Sequence, residues 1–153
     1  MTIALLRCIA IDPGAVSGAY AMFADGAAQF VGDLPVVDGQ VDAVSLAEIV
    51  RMFEPQAAVV ERVASMPKQG VASTFKFGMA VGIIHGVLLA SGVPVHLVTP
   101  GVWKKHFNLG PDKEQARGLA KRLYPGVIGM ERKKDSGRAE ALLLGSYWLE
   151  KHP

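Results

Sequence analysis

Ile9-Ala10-Ile11-Asp12-Pro13-Gly14 is the stretch on which the reading of this chain turns. Leu5 to Ile11 is an apolar run, rich in β-branched residues, with Arg7 as its single polar break. It reads as a buried strand. Asp12 stands where the strand ends, and Pro13-Gly14 turns the chain. A carboxylate at the end of a buried strand is costly unless something pairs with it, which suggests a metal or phosphate site. The competing reading is a turn cap, because Asp before Pro-Gly is common in loops. The stretch alone leaves both open.

The surrounding chain has 153 residues, half of them hydrophobic and a fifth charged. That suits one globular domain, residues 1–153, with a sizeable core. The net charge of +2 hides an asymmetry. Residues 1–100 carry five Lys/Arg against eight Asp/Glu, and residues 101–153 carry eleven against six. A basic final third suggests a polyanionic partner, although solvated helix faces are often basic too. Cys8 is the single cysteine and falls in the first strand, where it reads as core filler. There is no Cys/His set with zinc spacing. No signal-peptide pattern precedes Asp12. The near-apolar run from Gly78 to Val93 falls short of the roughly 20 residues that span a bilayer. The expectation is a soluble protein of a reducing, cytoplasmic compartment with no membrane partner.

Working outward, Ser17–Phe23 and Ala27–Val31 read as strands joined through Asp25-Gly26, a hairpin signal. A polar connection over residues 32–40 follows. Val44, Leu46, Ile49, Val50 and Phe53 recur at helical spacing until Pro55. Ala57-Ala58-Val59-Val60 is a second short buried-strand run, and it too stops on a carboxylate, Glu61. Arg62 follows, so a local ion pair is the plain alternative. A long helix is expected over Val71–Ala90, with Gly78, Gly82 and Gly86 forming a smooth stripe. Each of these glycines costs about 1 kcal/mol of helix propensity relative to Ala, so the stripe implies a closely approaching backbone. That is either the chain's own sheet or a second helix across a dimer axis. His85, one position off the stripe, reads as structural. Val93–Val98 reads as a fifth strand, and Thr99-Pro100 as a helix start. Helices are expected over Lys113–Leu123 and Ser136–Lys151. Three hairpin-linked strands followed by alternating helices and strands predict an α/β fold: a mixed sheet with helices on its faces.

The candidate site residues are Asp12, Glu61, Asp135 and Glu140. The first two end predicted neighbouring strands, and the last two flank the start of the final helix. Asp135 or Ser136 also serves as an N-cap for that helix, and Glu140 suits its positive end. Ala139, Ala141 and Leu142 around Glu140 are apolar, however, so an ion there needs a reason. Converging carboxylates repel unless cations lie between them. Oxygen ligands without a His/Cys cluster favour Mg²⁺ or Mn²⁺, and two such ions clamp the attacking and leaving oxygens of a phosphodiester.

Four segments together are similar to a known family. Ile9–Gly14, Val59-Val60-Glu61-Arg62, the Ser73–Gly82 segment STFKFGMAVG and Gly137-Arg138-Ala139-Glu140-Ala141-Leu142 resemble, in order and spacing, the RuvC family of Holliday-junction resolvases. Val98-Thr99-Pro100 with Trp103-Lys104, and the absence of extra domains, resemble its shorter phage-type members. The resemblance implies an RNase H-like fold with a five-stranded mixed sheet. It further implies a homodimer acting on four-way DNA junctions, and Mg²⁺-dependent hydrolysis of two symmetric phosphodiesters to 5′-phosphate and 3′-hydroxyl ends. Asp12, Glu61 and Glu140 are then the catalytic, metal-binding acids.

Two departures stand out. Cellular members carry Asp or His three residues before the last acid, where this chain has Gly137. Asp135 is the nearest substitute. Five helical residues separate side chains by roughly 140°, so it joins the site only from ahead of the helix proper; failing that, Ser136 and water fill its place. The loop after Glu61, Val63-Ala64-Ser65-Met66, lacks the family's junction-probing aromatic, leaving Met66 as a possible wedge. Lys68, Lys76, Lys104, Lys105, Lys113, Lys133 and Lys134 are the candidate DNA contacts. The glycine stripe, with Phe75, Phe77, Met79 and Ile83 around it, is the candidate dimer contact. The rival functions are an actin-like nucleotide binder, which needs a second domain, a non-catalytic junction binder, and a nuclease for forks or flaps.

Overall fold

The computed structural model describes residues 6–14, 18–64 and 68–153. The main sheet has five strands: β1 (Arg7–Asp12), β2 (Ala19–Ala24), β3 (Ala27–Asp33), β6 (Ala57–Glu61) and β7 (Val95–Val98). Their order is β3-β2-β1-β6-β7. β1 pairs antiparallel with β2, and β2 with β3, while β1 and β6, and β6 and β7, are parallel. This is the expected mixed sheet. The carboxyl ends of β1, β6 and β7 therefore share one edge, where open α/β sheets place their ligands.

The helices are α1 (Ala43–Phe53), α2 (Val71–Ala90), α3 (Pro100–His106), α4 (Lys113–Leu123) and α5 (Ser136–Lys151), with a 3₁₀ turn, η1, over Lys133–Asp135. Asp42 caps α1, its Oδ1 accepting the N–H groups of Val44 and Ser45. Thr99 occupies the N-cap position of α3, and Pro100 follows as its first helical residue. The polar connection expected over residues 32–40 instead carries a small hairpin, β4 (Val36–Val37) and β5 (Gln40–Val41). Asp38 and Gly39, both with positive φ, make its two-residue turn. The second strand starts at Ala19, and Ser17 lies outside the described residues. β7 is shorter than Val93–Val98, because Pro94 has no N–H to give a ladder.

Side-chain alternation divides the interior into two cores. Cys8, Ala10, Ala57 and Val59 face α4 and α5, together with Phe23, Leu142 and Leu143. Ile9, Ile11, Ala58 and Val60 face α1 and α2, meeting Leu46, Val50, Ile84 and Leu88. Cys8 is core filler as expected, and burial pushes its thiol up to about 12. α5 lies against the sheet closely enough that a Cβ on Gly145 would come within 2.3 Å of the buried Phe23 ring and 2.9 Å of Ala10 Cβ.

α2 is built differently. Ile84 and Leu88 are its fully buried residues, while Val71, Phe75, Met79 and Leu89 are exposed. Among the described residues, nothing outside the helix's own backbone approaches within 4 Å of a Cβ placed on Gly78, Gly82 or Gly86. The stripe thus faces away from the chain's own sheet. By length and composition alone α2 would suffice to cross a membrane, which the shorter run read from the sequence does not suggest. Its other face packs on the sheet through Ile84 and Leu88.

Candidate active site

The alternation that builds the two cores also aims the acids. Asp12 follows Cys8 and Ala10 on the α5 face of β1, and Glu61 follows Ala57 and Val59 on the same face of β6. Parallel pairing runs Ala10↔Val59 and Ile11↔Val60, so the two carboxylates end adjacent strands side by side. Glu140, from the second turn of α5, comes down into the same cleft as the two strand-end acids. Asp12 and Glu140 are both buried. All three acids line one cleft of about 390 Å³.

Local structure holds each acid in place. Gly14 N–H donates to Asp12 Oδ1 at 3.1 Å, so Asp12 is both turn residue and cleft residue. Just beyond, Gly18 is pinned where a Cβ would meet Pro13 O and Leu34 Cδ1, each at 2.5 Å. Only glycine lets the returning strand pass so near Asp12. Glu61 Oε2 accepts the indole N–H of the buried Trp103 at 2.9 Å. Arg62 is exposed and gives its backbone N–H to Val98 O.

Burial raises the Asp12 carboxyl well above the ordinary range, and the charges of Glu61 and Glu140 raise it further. Glu61 is raised as well, first by burial, against the opposing pull of Trp103 N–H, Lys104 and Lys113. Crowding of acids at a buried strand edge is unfavourable, and a cation between them would relieve the repulsion. Among the described residues no three His, Cys, Asp or Glu side chains stand close enough to form a ready-made metal cage. The donor set is all carboxylate, which suits Mg²⁺: it keeps several waters and takes one or two carboxylates plus substrate phosphate. On that chemistry the residues fit a hard divalent cation.

Asp135 stands apart from the cleft. It is buried, and Arg132 grips it through its backbone N–H (2.9 Å to Oδ2), Nε (3.1 Å to Oδ2) and Nη2 (2.8 Å to Oδ1). Arg138 adds a longer ion pair at 3.7 Å. The Arg132 guanidinium holds this carboxyl below the usual carboxylate range. Asp135 precedes the helix proper, as joining the site requires, but η1 turns it to the arginines. Ser136 and Gly137 line the cleft in its stead, along with Asp33.

Of the seven lysines singled out as candidate DNA contacts, Lys104, Lys113 and Lys134 line the cleft, and Lys76 lines an adjoining hollow. Lys68, Lys105 and Lys133 lie outside both. Met66 lies outside the described residues. Trp103, Asp33 and Phe77 are the cleft neighbours that the carboxylate pattern did not single out. Asp33 is traceable afterwards: it shares the face of Val31 and pairs in register with Ala19, which pairs with Asp12.

No family model matches the chain, and no curated protein matches it in sequence. Solved structures do match in fold. RuvC from T. thermophilus in complex with Holliday junction substrate superposes with a TM-score of 0.70 at 16% identity, covering 95% of this chain and 96% of that one. The Fowlpox virus resolvase with Holliday junction DNA gives 0.63 at 15%, covering 94% and 99%. The yeast mitochondrial Holliday junction resolvase gives 0.57 at 16%, covering 94% and 78%. The chain has the RNase H-like fold in which the RuvC-type Holliday-junction resolvases are built.

Proposed function

We propose that this protein is a divalent-metal-dependent endonuclease that resolves four-way DNA junctions as a homodimer. One observation carries the reading: two adjacent strand ends and one helix deliver Asp12, Glu61 and Glu140 into a single cleft rimmed by Lys104, Lys113 and Lys134. A carboxylate floor repels a phosphodiester by itself, whereas the lysine rim attracts one. Metal ions reconcile the two. Asp12, Glu61 and Glu140 are the residues to hold Mg²⁺ or Mn²⁺, two ions in the full site, and such ions supply Lewis-acid polarisation of the phosphoryl oxygens and a more acidic bound water.

The chain's own groups position and neutralise. Trp103 fixes the Glu61 carboxylate through its N–H, and Gly14 N–H fixes that of Asp12. Lys104, Lys113 and Lys134 take the phosphates that flank the reacting one. These contacts are to the backbone, so they give affinity and orientation without base sequence. The fold comparisons support this reading through the junction DNA named for two of the matched structures.

The test is incubation of labelled four-way junction, fork and linear duplex with the protein in Mg²⁺, with cut positions mapped. Paired symmetric cuts in the junction are expected, and chelation stops them. Asp12→Asn is expected to slow cleavage by about 10³-fold, ~4 kcal/mol of transition-state stabilisation, while junction binding persists. Near-normal nicking by that variant overturns the site assignment. Preferential cutting of forks redirects the substrate and leaves the chemistry in place.

A further inference from the structure

The carboxylate cleft has two unlike walls. Lys104, Lys113 and Lys134, from α3, α4 and η1, make the cationic side. Phe77 of α2 is the one aromatic side chain in the lining among the described residues. Its position follows from helix geometry. Phe77, Ile84 and Leu88 are separated by seven and four residues, which puts them on one face. Ile84 and Leu88 are buried over the sheet, and Phe77 lies about two turns nearer the helix start. That places it near the carboxyl edge of the strands, where it lines the cleft that holds the acids. The ring is half-buried, and it also lines the adjoining hollow with Pro13, Val36, Val41 and Ala80. No ring stacks on it among the described residues. It is a supported aromatic group facing a polar cleft.

A nucleotide whose phosphate sits at the acids must send its base to one side. The lysine wall suits flanking phosphates. The Phe77 wall suits a base, because every base has a π-face and stacking on an aromatic side chain is tolerant of sequence. In a regular duplex those faces are covered by neighbouring bases. We propose that Phe77 stacks on the base next to the scissile phosphate and so selects DNA in which that base is unstacked, as at a branch point. The inference rests on the nuclease reading above and deepens it, by assigning structure selectivity to a residue in the cleft wall.

The experiment is a cycle between protein and substrate. Cleavage rates are measured for wild-type protein, Phe77→Ala, Phe77→Leu and Phe77→Trp. The substrates are a junction with its normal base, or an abasic residue, next to the mapped cut. Base–aromatic stacking of about 1–3 kcal/mol corresponds to roughly 5- to 150-fold. Phe77→Ala and Phe77→Leu are expected to lose that factor on the normal junction, Phe77→Trp to retain activity, and the abasic substitution to cost wild type the same factor. On the abasic junction the Ala variant is expected to match wild type. Equal activity of Phe77→Leu and wild type on the normal junction makes the ring mere packing and overturns the proposal, as does additive loss in the cycle. Absence of any cleavage by wild type, on any substrate, overturns the nuclease reading itself, a separate outcome.

Discussion

At the scale of the residue, Asp135 shows how a carboxylate beside the acidic cleft differs from one inside it. Arg132, three residues back, supplies a backbone N–H and two guanidinium donors to it, and Arg138 flanks it. The folded state lowers the Asp135 carboxyl, so the pairing stabilises the fold fully above the unfolded carboxyl value of about 4. That contribution is lost as pH falls through the lower folded value. Arg132 is half exposed, so solvent screens the pair, and Asp135→Asn is expected to cost about 1–2 kcal/mol at pH 7. The difference between the melting temperatures of the two proteins is expected to hold constant above about pH 4 and to shrink as the pH is lowered below it. Junction cleavage by Asp135→Asn is expected to stay within a few-fold of wild type, because the residue does not line the cleft. A loss as deep as that of Asp12→Asn returns Asp135 to the metal-binding set.

At the scale of the element, two apolar runs that each end on a carboxylate are what made the site legible in the sequence. Parallel pairing of their strands brings Asp12 and Glu61 to one face. Glu140 was legible for a related reason: an acid among Ala139, Ala141 and Leu142 must have company. What the pattern could not give was direction over short distances. The 3₁₀ turn before α5 decides where Asp135 points, and such turns leave little trace in periodicity. The β4–β5 hairpin was hidden for the same reason, each strand being two residues long. Phe77 was misplaced by association with the glycine stripe, although its seven-residue spacing to Ile84 belongs to the opposite face. α5 offers the sharpest test at this scale. Gly145→Ala gains about 1 kcal/mol of helix propensity, but it drives a methyl into Phe23 and Ala10. Overpacking of a tight core costs typically ~1–3 kcal/mol. Net destabilisation, read as a lower urea midpoint at unchanged slope, is expected. A midpoint at or above that of wild type shows that Phe23 swings aside freely.

At the scale of the whole molecule, the unbalanced feature is α2. It is apolar on both faces but buried on one, leaving Val71, Phe75, Met79 and Leu89 in the open around three glycines with free space above them. A surface helix of a lone chain normally carries charge on that side. Lys76 is the sole charged residue of α2, and Gln40 Nε2 donates to its backbone carbonyl. A second copy related by a two-fold axis covers such a face isologously, and the glycines let the two helices approach closely. Dimerisation also suits the proposed junction resolution, in which two symmetric cuts need two sites. Gly82→Glu separates this from every other reading. A Cβ at this position meets nothing among the described residues, and Glu is the better helix former, so monomer stability is expected to hold or rise slightly. The dimer is expected to dissociate, because the substitution buries a charge at its centre. Sedimentation at micromolar concentration is expected to show a dimer for wild type and a monomer for the variant. On a junction, the variant is expected to leave single nicks where wild type makes paired cuts. A Gly82→Glu protein that stays dimeric and cuts in pairs places the dimer contact elsewhere on the molecule.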